Sequence, residues 1–316
     1  MFVVPTEFRA GPFTRAEALA AGVTPRVLEG VQFVRLHHGV YQHRAHVPCF
    51  ADELRAARLA LPEGARTTGI TRLQELGLDH GPRAPLHFVV EGDHHLALAG
   101  VFLHRTVAMP PEDGTGASAE AAFVAYCAEA RVIDAIKVGS ALLHSDLMDV
   151  VVLEALAIEQ PWRRGCAEAQ WLIEHLDGRC RSLPEAELLA LVRFSGMPQP
   201  EVNEPLELAD GLVITPDLWF PAWRRVVEYE GSQHQEDRDQ YTGDIDRYAA
   251  YRRGGVGYEQ VTKELMRNPR TTVRRVHRSL VEGGYDGPAP EFGDLWVMLF
   301  RRLSDVVRPL NPSRRR

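Results

Sequence analysis

The stretch Thr215-Pro216-Asp217-Leu218-Trp219-Phe220-Pro221-Ala222-Trp223-Arg224-Arg225-Val226-Val227-Glu228-Tyr229-Glu230-Gly231-Ser232-Gln233-His234 decides how this chain is read. Arg225 to Glu230 has the composition of a strand. Side chains alternate across a sheet with a period of two, so Glu228 and Glu230 share one face while Val227 and Tyr229 share the other. The turn at Phe220-Pro221-Ala222-Trp223 joins this strand to an antiparallel one running from Leu212 to Leu218, which brings Asp217 beside Glu228.

Three carboxylates on one patch repel, and without a cation one of them has to stay protonated. Mg²⁺ relieves the repulsion, because it takes hard oxygen ligands and uses one or two carboxylates with waters and substrate phosphate. Mn²⁺ would serve in the same way. Such a site suits phosphodiester cleavage, in which the metal activates water and steadies charge on the phosphorus oxygens. Gly231 lets backbone approach closely, and His234 could orient or deprotonate the water. Alone, Asp217 reads as a turn residue and the two glutamates as a solvated strand face. The triple pattern, followed by Gly-Ser-Gln-His and a polar helix, carries the metal reading.

Outward from this core, Ser182-Leu183-Pro184-Glu185 starts a helix running through Phe194. Strands are expected over Glu201 to Glu207 and Leu212 to Leu218, joined by the hairpin turn Asp210-Gly211. A polar helix over Gln235 to Arg253, a closing strand Tyr258 to Thr262 and a helix over Asn268 to Val281 complete this part. The tail holds a helix over Phe292 to Leu303 and a basic end.

The N-terminal segment reads as a small winged helix. Thr14 caps a helix with Glu17 as its capping-box partner, Thr24-Pro25 opens a second, and Gln32 to Leu36 pairs with Val40 to Gln42 across His37-His38-Gly39. Arg26 and Arg35, with His37, His38 and Arg44, are placed to touch DNA; the plainer alternative is a protein-docking module with solvated charges. The middle region mixes helices, including one around Ala141 to Ala157, with the strands Leu86 to Val90 and Val101 to Arg105. Asp93, His94 and His95 beside Glu91 have no spacing that fixes ligands on one face, so they read as a solvated turn.

Composition bounds the function classes. The chain has 316 residues, 45% of them hydrophobic and 25% charged, with 21 Pro and 26 Gly spread along it, which suits a soluble protein of two or three units. The four cysteines form no CxxC pair, which excludes a zinc knuckle or thioredoxin-like motif and fits a reducing compartment. No apolar run is long enough to span a bilayer, and Met1 to Ala10 lacks the pattern of a signal peptide, so a cytoplasmic location is expected. A formal net charge of −7 opposes DNA binding overall, yet a local basic surface can coexist with an acidic remainder. No GxSxG elbow or Walker-type loop is present.

Pro216-Asp217, Glu228-Tyr229-Glu230-Gly231-Ser232-Gln233-His234 and Asp244-Ile245-Asp246-Arg247 together resemble the PD-(D/E)XK nuclease superfamily. The likeness is to an actinobacterial branch related to very-short-patch-repair endonucleases, and it spans about Ser182 to Met266. Glu185 after Ser-x-Pro, and Gly196-Met197-Pro198-Gln199-Pro200-Glu201-Val202-Asn203, match further motifs of that branch. The resemblance implies Asp217 and Glu228 as metal ligands, supported by Glu185, Glu230 and His234. Glu230 stands where the superfamily has lysine. In the closing strand, Val256 and Gln260 replace the usual Trp and Arg. The N-terminal segment is similar to the winged helix of AbiEi-type antitoxins, whose "GVY" wing matches Gly39-Val40-Tyr41.

The resulting expectation is an α/β chain, α+β overall. It comprises a winged helix over 1–48, a mixed region over 49–178, a restriction-endonuclease-like domain over 179–270 with a mixed sheet flanked by helices, and a helical extension over 271–316. The expected activity is Mg²⁺-dependent endonucleolytic cleavage of DNA, with Arg238, Arg247, Arg252 and Arg253 as phosphate contacts beside Arg26 and Arg35. The competing expectation is an antitoxin-like or regulatory DNA-binding protein whose nuclease fold is idle. A homodimer and a toxin–antitoxin or defence-system partner stay open.

Overall fold

The computed structural model describes residues 3–208, 211–231 and 247–307, and the chain is α+β. It divides into two compact units, 1–125 and 126–316.

In the first unit, β1 (Phe13–Thr14) leads into α1 (Arg15–Ala20). Thr14 and Glu17 close the expected capping box, each side chain bonding the other's backbone N–H. Then follow α2 (Pro25–Leu28), β2 (Phe33–His37) and β3 (Val40–His43), the strands ordered β1-β3-β2. Phe8, Phe13, Val23, Leu28, Phe33 and Tyr41 form the core beneath this small sheet. Arg44 donates to the Val31 and Phe33 carbonyls, so its guanidinium holds the base of the hairpin.

The rest of this unit is α3 (Phe50–Ala60), β4 (Arg66–Thr67), α4 (Gly69–Glu75), β5 (Leu86–Glu91) and β6 (Val101–Thr106), with α5 (Ala119–Cys127) crossing into the second unit. β5 and β6 pair in parallel, and Phe88 packs with Leu54, Ala57 and Leu61 of the α3 segment. Arg72 is buried, bonded to the Ala117 carbonyl and neutralised by Glu75 and Asp113. Asp93 pairs with Arg105 and His95 on an exposed turn, the solvated arrangement expected there.

The second unit begins with α6 (Val132–His144), α7 (Val150–Glu159), α8 (Cys166–Leu172) and α9 (Leu183–Phe194). The single helix expected around Ala141 to Ala157 is two helices. Asp146 adopts a left-handed φ of 55°, and the Asp149 carboxylate caps α7 by accepting from the Val151 and Val152 N–H groups.

β7 (Glu201–Val202), β8 (Leu206–Glu207), β9 (Val213–Ile214), β10 (Leu218–Phe220), β11 (Arg225–Glu230), α10 (which includes 247–253) and β12 (Gly257–Thr262) build the sheet region. The two long strands expected before β11 are each broken. Asn203 at φ 50° interrupts the first, and Pro216, which has no N–H to give a ladder, interrupts the second. The four-stranded sheet runs β12-β11-β10-β7, mixed because β11 and β12 are parallel and the other pairs antiparallel. On one face Val226 and Trp219 pack with Ala250 and Tyr251 of α10 and with Val256. The other face meets α9 and α12 (Pro269–Glu282), which follows α11 (Lys263–Met266). The expected tail helix is α13 (Asp294–Met298) and α14 (Leu303–Val307) instead of one element. Among the described residues, no helix is long and apolar enough to cross a membrane.

Candidate functional site

The turn between β10 and β11 is short because Pro221–Trp223 forms a 3-10 turn and Arg224 takes a left-handed φ of 50°. It sets the register Leu218↔Val227, which places Asp217 across from Glu228. The Asp217 backbone N–H points to Glu228 Oε2 at 3.4 Å, and the Tyr229 N–H donates to Asp217 Oδ2 at 2.6 Å. Two acidic side chains are thereby held side by side at the sheet end by main-chain groups.

Glu185 comes to the same patch from α9. Ser182 Oγ donates to its Oε1 at 2.8 Å and the Arg181 N–H to its Oε2 at 2.9 Å, so the helix cap also fixes the carboxylate. Asn203 links the two parts of the site. Its Nδ2 donates to Glu185 Oε2 at 2.8 Å, and its backbone N–H donates to the Asp217 carbonyl at 3.1 Å. Among the described residues, the buried Asn203 Oδ1 has no hydrogen-bond partner.

Glu228 is 6% exposed, and its Oε1 accepts from Arg247 Nη2 at 2.6 Å and from the Tyr251 hydroxyl at 2.7 Å. Arg247 Nη2 also donates to the Thr215 carbonyl at 2.9 Å. Arg247 and Tyr251 lie four residues apart on α10, which puts both on the helix face turned to the sheet. The Arg247 guanidinium thus bonds Glu228 directly and acts on Asp217 beside it through its charge.

The electrostatics follow from that arrangement. Burial, then the charges of Glu228 and Glu185, push the Asp217 carboxyl up to about 8, against the Tyr229 N–H and Arg247, which pull it down. Burial also raises Glu228, opposed by Arg247 and Tyr251. The Asp217–Glu228 pair thus favours a bound proton in the absence of any other cation.

A divalent ion would stand in place of that proton. Among the described residues, Asp217 Oδ1 has no donor, and Glu228 Oε2 has only the long contact from the Asp217 N–H. With the orphaned Asn203 Oδ1 nearby in the chain of bonds, the donor set is all oxygen and fits a hard cation. Among the described residues, no three His, Cys, Asp or Glu side chains form a group able to hold an ion by themselves. Two carboxylates with solvent or substrate oxygens is the arrangement the geometry offers.

The other expected site residues are dispersed. Glu230 is half-buried at the end of β11, on the Glu228 face. His234, Arg238, Asp244 and Asp246 lie outside the described residues. Arg252 is exposed, bonded through Nη2 to the Tyr258 hydroxyl at 3.0 Å, and Arg253 is exposed beside it. Arg26 is exposed on α2 of the first unit, while Arg35 packs on the wing, 2.7 Å from His38 Nδ1. Gln260 donates to the Tyr248 hydroxyl, and Val256 is buried in the core.

Sequence reasoning did not assign Asn203, Tyr251 or the carboxylate-binding position of Arg247. The Arg247–Tyr251 spacing was a readable signal of a shared helix face, but not of what that face meets.

No family model matches the chain, and no solved structure matches it. Two proteins of Mycobacterium tuberculosis are similar to it: uncharacterized protein MT2308 of strain CDC 1551 and uncharacterized protein Rv2248 of strain H37Rv. Each is 25% identical over 251 residues, covering 78% of this chain and 92% of the relative.

Proposed function

We propose that the second unit is a divalent-metal-dependent DNA endonuclease domain of the PD-(D/E)XK type, and that residues 1–48 form a winged helix that helps to locate DNA. The observation that carries this reading is the convergence of Glu185, Asp217 and Glu228, from three separate elements, on one patch where Arg247 bonds Glu228. A protein gains no stability from assembling repelling carboxylates in a buried place, so their assembly points to a cation. Mg²⁺ or Mn²⁺, when bound, supplies an activated water and charge stabilisation at the phosphate.

In this reading Asp217 and Glu228 hold the ion. Arg247 and Tyr251 keep Glu228 Oε1 fixed so that Oε2 faces the shared space. Glu185, locked by Ser182, Arg181 and Asn203, keeps the local potential negative. Glu230, on the same strand face as Glu228, and His234 are the groups proposed to orient the attacking water. DNA is the proposed partner and the cytoplasm the proposed location.

Nicking of supercoiled plasmid tests it. The purified chain should convert supercoiled to open-circular DNA with Mg²⁺ or Mn²⁺ and not with EDTA. Glu228→Gln should slow the reaction by at least about 100-fold. Equal behaviour of wild type and Glu228→Gln across both metals would reject the activity.

One observation favours a second reading. Arg247 already neutralises Glu228, as in a site that has exchanged its ion for an internal cation. The chain would then be an antitoxin-like or regulatory DNA-binding protein with an idle nuclease fold. A gel shift that survives Asp217→Asn and disappears on removal of residues 1–48, without nicking, is its expected result.

A further inference from the structure

α12 carries two faces of opposite character. Thr272, Val273, Val276, Ser279 and Leu280 are buried toward the sheet, and Arg275 on that side pairs with Glu259 of β12. Outward, Arg270, Arg274 and Arg278 are exposed at steps of four, continuing from the exposed Arg267 just before the helix. Each step of four advances about 6 Å along the axis. In a chain of net charge −7, none of these four makes an ion pair among the described residues.

A second observation singles out this row. The guanidinium carbons of Arg270 and Arg274 lie 5.4 and 5.3 Å from the centroid of one ring, Phe292. Each contact attracts a guanidinium to the ring face, yet placing both cations on a single ring makes them repel. Glu291 and Asp294 flank Phe292 in sequence, but among the described residues neither forms an ion pair with them. The ring holds the two forks in place, with no acceptor for their donors among the described residues, and an anion with several oxygens would relieve the repulsion by accepting from both.

Topology relates the row to the acidic patch. β11 and β12 run in parallel with Glu230 opposite Thr262, and α11 begins at the next residue, Lys263. Arg267 and Arg270 therefore depart from the same end of the sheet as Glu228 and Glu230.

We propose that the outward face of α12 is a rail for the phosphate backbone of DNA, formed by Arg267, Arg270, Arg274 and Arg278, with Phe292 as the platform that pre-orders its centre. Its partner rests on the nuclease reading of the same unit. The rail reads charge spacing and not bases, because its contacts are guanidinium to phosphate.

The test is fluorescence anisotropy of the full chain with a labelled duplex of about 20 base pairs, in EDTA so that nothing is cut, across about 50 to 200 mM salt. Changing Arg270, Arg274 and Arg278 together to Gln should weaken binding at least tenfold and flatten the log–log salt slope by about two to three. The three Lys replacements should retain most of the slope, since charge is kept. Wild-type affinity and slope in the Gln variant would overturn the proposal. So would an absence of duplex binding by the wild type, or equally tight binding to polyglutamate. Failure of the nuclease reading is separate: it would show as no nicking with metal while the difference in salt slope persists.

Discussion

The Tyr229 backbone N–H donates to Asp217 Oδ2 at 2.6 Å, so the strand that carries Glu228 also holds the aspartate opposite it. Moving the Asp217 carboxylate away from Glu228 costs this main-chain hydrogen bond. Burial, with the charges of Glu228 and Glu185 close by, is what drives Asp217 toward about 8.

Metal-free stability should therefore fall as pH rises. The folded Asp217 binds its proton until about pH 8, whereas the unfolded group releases it near 3.8, so the folded state binds more protons between those values. Stability is then lost with rising pH across that window, by at most about 1.4 kcal/mol per pH unit. Thermal melting in EDTA should show Asp217→Asn gaining on wild type at pH 8 and not at pH 4. A parallel pH profile for the two proteins would contradict the account of the site.

Removing Arg247 should expose the cost of a buried, unpaired Glu228. Arg247→Met leaves only the Tyr251 hydroxyl on Oε1. The arginine side chain is 33% exposed, so solvent softens the loss, and about 1–3 kcal/mol is expected at pH 7. Urea melts should show the deficit shrinking when Glu228→Gln is added, because the charge that needed Arg247 is gone.

Asn203 should matter through conformation and bonding together. It occupies φ 50°, tolerated by Asn and Gly, and it bridges Glu185 to the Asp217 strand. Asn203→Gly should keep the backbone and lose the bridge, while Asn203→Ala should lose both and melt lower. Equal melting temperatures for the two variants would remove the conformational part of the argument.

Asp149 should behave as an ordinary helix cap, since its carboxylate accepts from the Val151 and Val152 N–H groups. Asp149→Ala should cost about 1 kcal/mol in denaturant melts, and Asp149→Ser or Asn much less. Nicking, if present, should be unchanged in all three.

Much of the site was legible because it is local. Alternation along Val226 to Glu230 and a short turn were enough to place Asp217 against Glu228, and Ser182 marked Glu185 through its cap. Other features were hidden for physical reasons. Arg247 reads as a surface base, since nothing in a helical sequence says whether its face meets solvent or a carboxylate across the sheet. The expected strands before β11 were too long because β-forming residues surround Asn203 and Pro216, whose backbone limits override the pattern. The α6–α7 break was missed because both flanks are apolar at helical spacing, and only Asp146 and Asp149 signal the turn. Arg270, Arg274 and Arg278 were readable as a four-residue repeat, but Phe292, which joins two of them, is distant in sequence.

The most direct measurement of the central claim is Mn²⁺ binding by electron paramagnetic resonance, which needs no knowledge of the substrate. Free Mn²⁺ signal should fall on titration with the full chain to a stoichiometry of about one ion per chain, as expected for one oxygen site sharing Asp217 and Glu228. Asp217→Asn and Glu228→Gln should each abolish that loss while folding normally. Undiminished Mn²⁺ signal at millimolar wild-type protein, or binding that survives both substitutions, would contradict a metal site at this patch.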